Sequence, residues 1–258
     1  MNIIAFVSAK GGVGKTTVSA NICAAMARKG RTVLAIDLDP QNALSLHFGY
    51  PPHLVGGIAQ AAVSELDLNT FIQKSKLGTY NLPYGRVSEE DRQSFESILL
   101  RQPDFLVNKI RSLDLPKDSL IILDTPPGPS VYLKQALQSA RLAVVVLLAD
   151  AASYATLPII NTLLKQYSLS RHDFITHAYL INQLDKSKQL NNDVRRIIES
   201  QFSENQVMLI NQDPSVAEAL AFQQDIHEYA PDSRAAYEID TACEKLLQLI
   251  DSKKGNIF

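Results

Sequence analysis

Cysteine is scarce in this chain: two in 258 residues, Cys23 and Cys243. They stand far apart inside apolar helical patterns, which excludes a disulfide framework and a metal-ligand cluster. Each reads as a small core hydrophobe, and a reducing cytosol is the simplest setting. No sign of charge dominates. Lys plus Arg number 25 against 27 for Asp plus Glu, a net charge of −2. Nothing in that balance calls for nucleic acid or an acidic membrane as partner. Long hydrophobic runs are missing as well. The strongest, Leu120 to Leu123 and Leu142 to Ala149, are far too short to span a bilayer. The amino terminus lacks a basic lead, an apolar core and a small-residue cleavage site, so no secretion signal is expected. There is no internal repeat, no low-complexity tract and no linker able to split the chain. One domain over residues 1–258 is expected.

What is present is ordered. Ala9-Lys10-Gly11-Gly12-Val13-Gly14-Lys15-Thr16-Thr17 follows an apolar segment, Ile3 to Val7, and precedes an amphipathic one, Thr16 to Lys29. Strand, glycine-rich loop and helix in that order form the context of a phosphate-binding loop. Glycines let the backbone wrap an anion and turn its N–H groups inward. The helix adds its positive N-terminal dipole. Lys15 is then placed to bridge the β- and γ-phosphates, and the Thr16 hydroxyl to ligate Mg²⁺. Ala9 stands where the common pattern has Gly.

Apolar runs alternate with helical patterns along most of the chain. Strands are expected at Ile3–Val7, Thr32–Ile36, Thr79–Pro83, Ser119–Leu123, 142–148, 174–181 and Val207–Ile210. Helices are expected at Thr16–Arg28, 88–113, 130–140, 155–167, 187–202, 214–223 and 233–251. This alternation predicts βαβ units, a mostly parallel twisted sheet and helices on both faces, a three-layer α/β fold. Residues 50–117 are the least regular and are the candidate partner surface. The tail Asp251–Phe258 reads as a frayed terminus.

Ligands in open α/β sheets bind beyond the carboxyl ends of the strands. Asp37, Asp39 and Asp124 all stand at such ends. Asp124 is placed to hold Mg²⁺ through water. Asp39 is placed to orient a water against the γ-phosphate, or to serve as a turn residue before Pro40. Asp37 either helps hold the metal or fixes the loop. Asp124-Thr125-Pro126-Pro127-Gly128 reads as a switch in which the Gly128 N–H turns toward a γ-phosphate. Asn182 closes an apolar strand, and its amide suits the adenine N6 and N7 positions. The spacing to Asp185 leaves guanine open. Lys186, Lys188, Arg195 and Arg196 read as a solvated helix face rather than a DNA site.

Lys10 to Thr17 resembles the deviant phosphate loop of the MinD/ParA family of ATPases. Asp37-Leu38-Asp39-Pro40-Gln41 resembles its first switch and Asp124 to Gly128 its second. Ala217-Glu218-Ala219 through Ala236 resembles its C-terminal region. Leu82 to Arg86, Asp124 to Leu137 and Glu218 to Gln224 are most similar to the branch found in bacterial cellulose-synthase operons. The resemblance covers nearly the whole chain and implies an α/β P-loop fold and slow, partner-stimulated hydrolysis of ATP with Mg²⁺. It implies a homodimer with ATP between the subunits and Lys10 reaching the partner's phosphates. It implies Asn182 on adenine, with Asp213 and Pro214 bordering the base. It further implies a cytoplasmic assembly, localisation or regulatory factor for cellulose secretion. Such a factor has partners of the BcsR and BcsE types and is recruited through them to the inner membrane or cell pole. A ParA-like role on DNA or another cargo is the alternative, and a GTPase of the related targeting type is a third reading. A redox role like that of the nitrogenase iron protein fails, because no cysteine follows the switch strands.

Overall fold

The computed structural model describes residues 1–50, 56–75 and 78–251. The strands are β1 (Asn2–Val7), β2 (Val33–Asp37), β3 (Gln73–Lys74), β4 (Tyr80–Leu82), β5 (Leu120–Asp124), β6 (Leu142–Leu148), β7 (Thr176–Leu184) and β8 (Val207–Asn211). They form one sheet in the order β3-β4-β2-β5-β1-β6-β7-β8. Every pairing is parallel except that of the two-residue β3 with β4. The helices are α1 (Lys15–Arg28), α2 (Leu44–His47), α3 (Ile58–Val63), α4 (Glu89–Arg101), α5 (Phe105–Arg111), α6 (Val131–Ser139), α7 (Ala151–Leu164), α8 (Gln189–Gln201), α9 (Pro214–Ala221), α10 (Ile226–Tyr229) and α11 (Arg234–Asp251).

The two-residue period of the strands sorts the core into two layers. Ile3, Ala5 and Val7 of β1, with Ile121 and Leu123 of β5, face helices α3 to α8 through Phe95, Leu106, Leu133, Ile160 and Ile198. Ile4 and Phe6, with Leu120 and Ile122, face α1, α2, α10 and α11 through Ile22, Leu44, Ile226, Ile239 and Leu246. Strands buried on both faces need unbroken apolar sequence, which is why the runs at 120–123 and 142–149 are continuous. Each fully buried Ile or Leu side chain contributes about 1.5–3 kcal/mol.

The three-layer parallel fold is as expected, with differences in detail. The helix expected over 88–113 is two helices, because Pro103 cannot continue α4 and the chain turns at Gln102. The helix expected at 155 starts at Ala151, where the Asp150 carboxylate accepts the Ser153 N–H and caps it. Strand β7 runs on to Leu184 through a bulge after Ile181, with Gln183 in the left-handed region at φ 52°. The tail beyond Asp251, expected to fray, lies outside the described residues, as do Pro51 and Pro52. Among the described residues no helix is long and apolar enough to cross a membrane.

Helices α1, α10 and α11 are clamped by charge. Arg28 Nη2 lies 3.0 Å from Asp225 Oδ2, and His227 lies between Asp225 (3.7 Å) and Asp240 (3.2 Å). The Asp225 carboxylate, against the burial that opposes it and with help from Asp240, raises His227 above the ordinary 6.5. A raised value means that this stabilisation is complete below pH 6.5 and fades as pH climbs through the folded value. The melting temperature is therefore expected to fall over that window, and the fall is expected to shrink in His227→Gln. Parallel melting curves of the two proteins between about pH 6 and 8 check it.

Candidate functional site

The site gathers at the carboxyl edge of β1, β2, β5 and β7. Gly12 (φ 76°) and Gly14 (φ 79°) hold left-handed conformations that let the loop after β1 curl back onto the start of α1. Lys15, in the first turn of α1, is 6% exposed, and its Nζ is 2.8 Å from Oδ1 of the wholly buried Asp124 at the end of β5. Thr16 Oγ1 donates to Asp124 Oδ2 at 2.7 Å, and Ser19 Oγ donates to Oδ1 at 3.2 Å. One carboxylate thus gathers an ammonium and two hydroxyls at a helix N-terminus. Hard oxygen donors beside a lysine are the groups that a magnesium-bound phosphate needs. Among the described residues no three His, Cys, Asp or Glu side chains could hold a metal by themselves. A cation here would draw the remaining oxygens from phosphate and water.

The other predicted residues are placed unevenly. Asp37 is fully buried, and both its oxygens accept backbone N–H groups, Oδ1 from Asp39 and Oδ2 from Leu44. These two bonds tie it to the loop after β2 and to the start of α2. Burial, with Asp124 nearby, pushes its carboxyl well up. Asp39 Oδ1 accepts the Gln41 N–H in a local turn. The Gly128 N–H, expected to face a phosphate, donates instead to the Ser8 carbonyl at 2.8 Å. Gly11 lies beside Pro127 of the same switch loop.

Asn182 does not point freely into solvent. The β7 bulge brings it over the phosphate loop, where Nδ2 donates to the Val13 carbonyl at 2.9 Å. It borders a cavity of about 430 Å³ lined also by Gly14, Thr17, Gln183, Asp213 and Pro214. The residues assigned to the base are therefore brought together. Asp213 caps α9, its oxygens accepting from Ser215 and Ala235. Asp185 is turned away into its own turn with Ser187 and Lys188, so the guanine spacing is not assembled. Of the basic stretch, Lys188, Arg195 and Arg196 each lie beside an acid of their own segment.

Sequence reasoning missed four residues here. Ser19 has a plain helical context. His47 reaches Thr17 Oγ1 (3.5 Å) from α2, and burial lowers its ring to about 4, so it is neutral. Gln183 gains its place from the bulge alone. Asp150 lies 140 positions from Lys10, yet its Oδ2 is 3.1 Å from Lys10 Nζ. A signal existed only for Asp150, as an N-cap residue before an apolar helix.

Gly14 offers a sharp test. An added Cβ would sit 2.4 Å from Asn182 Nδ2, at a backbone conformation that suits glycine. Gly14→Ala is expected to displace Asn182 from Val13 and to cost roughly 1–2 kcal/mol of stability, read by urea unfolding.

Fold and site together define an α/β protein of the phosphate-loop class. A model of the family described as "Cellulose biosynthesis protein BcsQ" matches residues 1–247, and the chain belongs to that family. The virulence plasmid ParA family protein pGP5-D of Chlamydia muridarum is 29% identical over 100% of this chain and 97% of its own. Cellulose biosynthesis protein BcsQ of Salmonella typhimurium is 26% identical, covering 93% and 92%. Among solved structures, the septum site-determining protein MinD of Pyrococcus horikoshii, complexed with Mg-ADP, superposes with a TM-score of 0.78. It shows 24% identity over 98% of each chain. Cobyrinic acid a,c-diamide synthase of Mycobacterium smegmatis, with a bound ATP analog and magnesium, gives 0.79 at 21% identity over 98% and 97%. Both likenesses establish the fold.

Proposed function

We propose that this chain is a nucleotide-switched ATPase that dimerises with ATP and acts as an assembly, localisation or regulatory factor for cellulose synthesis and secretion. The observation that supports the enzyme most is the buried set of Lys15, Thr16 and Ser19 around Asp124. The family match over residues 1–247 supports the cellulose role. Bound MgATP would supply the scissile phosphoanhydride and the cation that offsets its charge. Lys15 would hold the β- and γ-phosphate oxygens, and Thr16 and Asp124 the magnesium, directly and through water. Gly11 to Thr17 would offer backbone N–H groups, and Asp39 would orient the attacking water. Lys10 would reach a second subunit's phosphates. Gly128 would leave Ser8 when a γ-phosphate is present.

Adenine is favoured over guanine at the base cavity. Among the described residues its only acid, Asp213, already serves two backbone N–H groups, so none of them offers a free carboxylate to the guanine edge. Competition between ATP and GTP in a binding assay tests this, and preference for GTP refutes it. The cytoplasmic placement, with recruitment to the membrane through BcsR- and BcsE-type partners, belongs to the same reading. An affinity pull-down with Asp39→Ala, which blocks turnover and retains ATP, is expected to recover cellulose-secretion proteins.

A second reading is a ParA-type ATPase acting on DNA, favoured by the full-length match to the chlamydial plasmid protein. It requires ATP-dependent, steeply salt-sensitive DNA binding. A gel shift at low salt with ATP separates the two readings.

A further inference from the structure

Beside the first switch lies a second cavity, of about 450 Å³, separate from the base site. Pro40, Gln41 and Asn42 form one wall, and Tyr84 to Glu89 with Arg92 form the other. Three features mark it as a place for an acceptor. Asn42 is 8% exposed, in the left-handed region at φ 51°, and held in place because its Oδ1 accepts the Gly85 N–H at 3.4 Å. Its Nδ2 has no hydrogen-bond partner among the described residues. A buried amide donor left without an acceptor is unfavourable, and native folds rarely retain one. At the rim, the exposed Arg86 guanidinium makes no ion pair or hydrogen bond among the described residues. Arg92, by contrast, is engaged by Glu89 and Glu96. Pro40, Tyr84 and Val87 supply an apolar wall beside the polar Gln41, Ser88 and Glu89.

We infer that this cavity receives a carboxylate, presented by an acidic side chain of a partner segment. A guanidinium fork and an amide N–H suit the two coplanar oxygens of one carboxylate. A doubly charged phosphate is disfavoured, because Glu89 lines the mouth, Glu90 and Asp91 follow it in the first turn of α4, and Asp39 precedes Pro40. The volume exceeds what a lone carboxylate fills, and the apolar wall accommodates neighbouring side chains of a peptide. The occupant would touch Pro40 and Gln41 directly. Its affinity would then depend on the state of the switch, which is how a partner could sense bound nucleotide. That last step rests on the switch ATPase reading. The site itself does not.

The test is nitrogen-15 NMR on the nucleotide-free full chain, which keeps the two readings apart. The probes are the blocked peptide acetyl-Leu-Glu-Leu-amide, its glutamine counterpart and sodium succinate. The Glu peptide is expected to shift the Asn42 side-chain amide and Arg86 Nε–H signals, and the Gln peptide to leave them in place. Arg86→Gln is expected to weaken the Glu peptide about ten-fold or more while MgATP binding stays unchanged, and Arg86→Lys to restore part of it. No shift with the Glu peptide up to about 20 mM, or equal shifts with both peptides, overturns the site. Succinate binding as tightly as the peptide overturns the partner segment as its source. Failure of MgATP to bind the parent protein would sink the ATPase reading and leave these shifts interpretable.

Discussion

Lys15→Ala is expected to give no measurable heat with MgATP in calorimetry, and to melt roughly 6–12 °C below the parent. Both effects come from one side chain. On the proposed reading, the Lys15 ammonium is the charge that the loop offers to a triphosphate, and phosphate recognition by a lysine of this kind is electrostatic. Without ligand, the same ammonium neutralises Asp124, which is completely buried. Removing one member of a buried pair leaves an uncompensated charge and costs about 3–5 kcal/mol. The Thr16 and Ser19 hydroxyls still bond Asp124, which holds the loss near the lower end. Lys15→Gln separates the effects. It keeps a neutral donor near Asp124, so more stability should survive, while nucleotide binding should not. A Lys15→Ala protein that folds and binds MgATP as tightly as the parent would remove the basis for placing phosphate at this loop.

The parts of the site legible in the sequence were those set by local order. Ile3–Val7, the glycine loop and the helix after it are contiguous, and their order in space follows from their order in the chain. Asp37 and Asp124 were found because each ends an apolar run, and parallel strands deliver their ends to one edge. What those carboxylates bond to was not legible. Asp37 is occupied by the N–H groups of Asp39 and Leu44, since α2 folds back onto the loop after β2. A four-residue helix leaves no periodic signal. Gly128 is tied to Ser8 across 120 positions, and Lys10 to Asp150 across 140. Such pairings depend on strand order, which sequence pattern does not encode. The bulge at Gln183 shows the same limit: a left-handed residue within β7 decides that Asn182 lies over Gly14.

Lys10→Ala is expected to behave oppositely to Lys15→Ala. In the single chain, Lys10 pairs with Asp150, and both side chains are about a third exposed, at 38% and 35%. A solvent-screened pair of that kind is worth about 0–1 kcal/mol. Asp150 does not depend on it alone, because its Oδ1 also accepts the Ser153 N–H. Although burial works the other way, the Ser153 N–H together with Lys10 holds its carboxyl below the usual range. The alanine protein should therefore fold with near-parental stability and bind MgATP within about three-fold of the parent. Lys10 is thus held loosely at the mouth of the phosphate loop and can be released at little cost. If its task is to meet phosphates bound by a second copy, ATP-dependent dimerisation should disappear. A cation supplied in trans to a transferring phosphoryl group contributes about 10³-fold or more, so turnover should fall by that order. Light scattering with a slowly hydrolysed ATP analogue and a phosphate-release assay read the two effects separately. Equal nucleotide-dependent dimerisation of the parent and Lys10→Ala would refute the trans role. Loss of nucleotide binding in Lys10→Ala would instead place this lysine on its own subunit's phosphates.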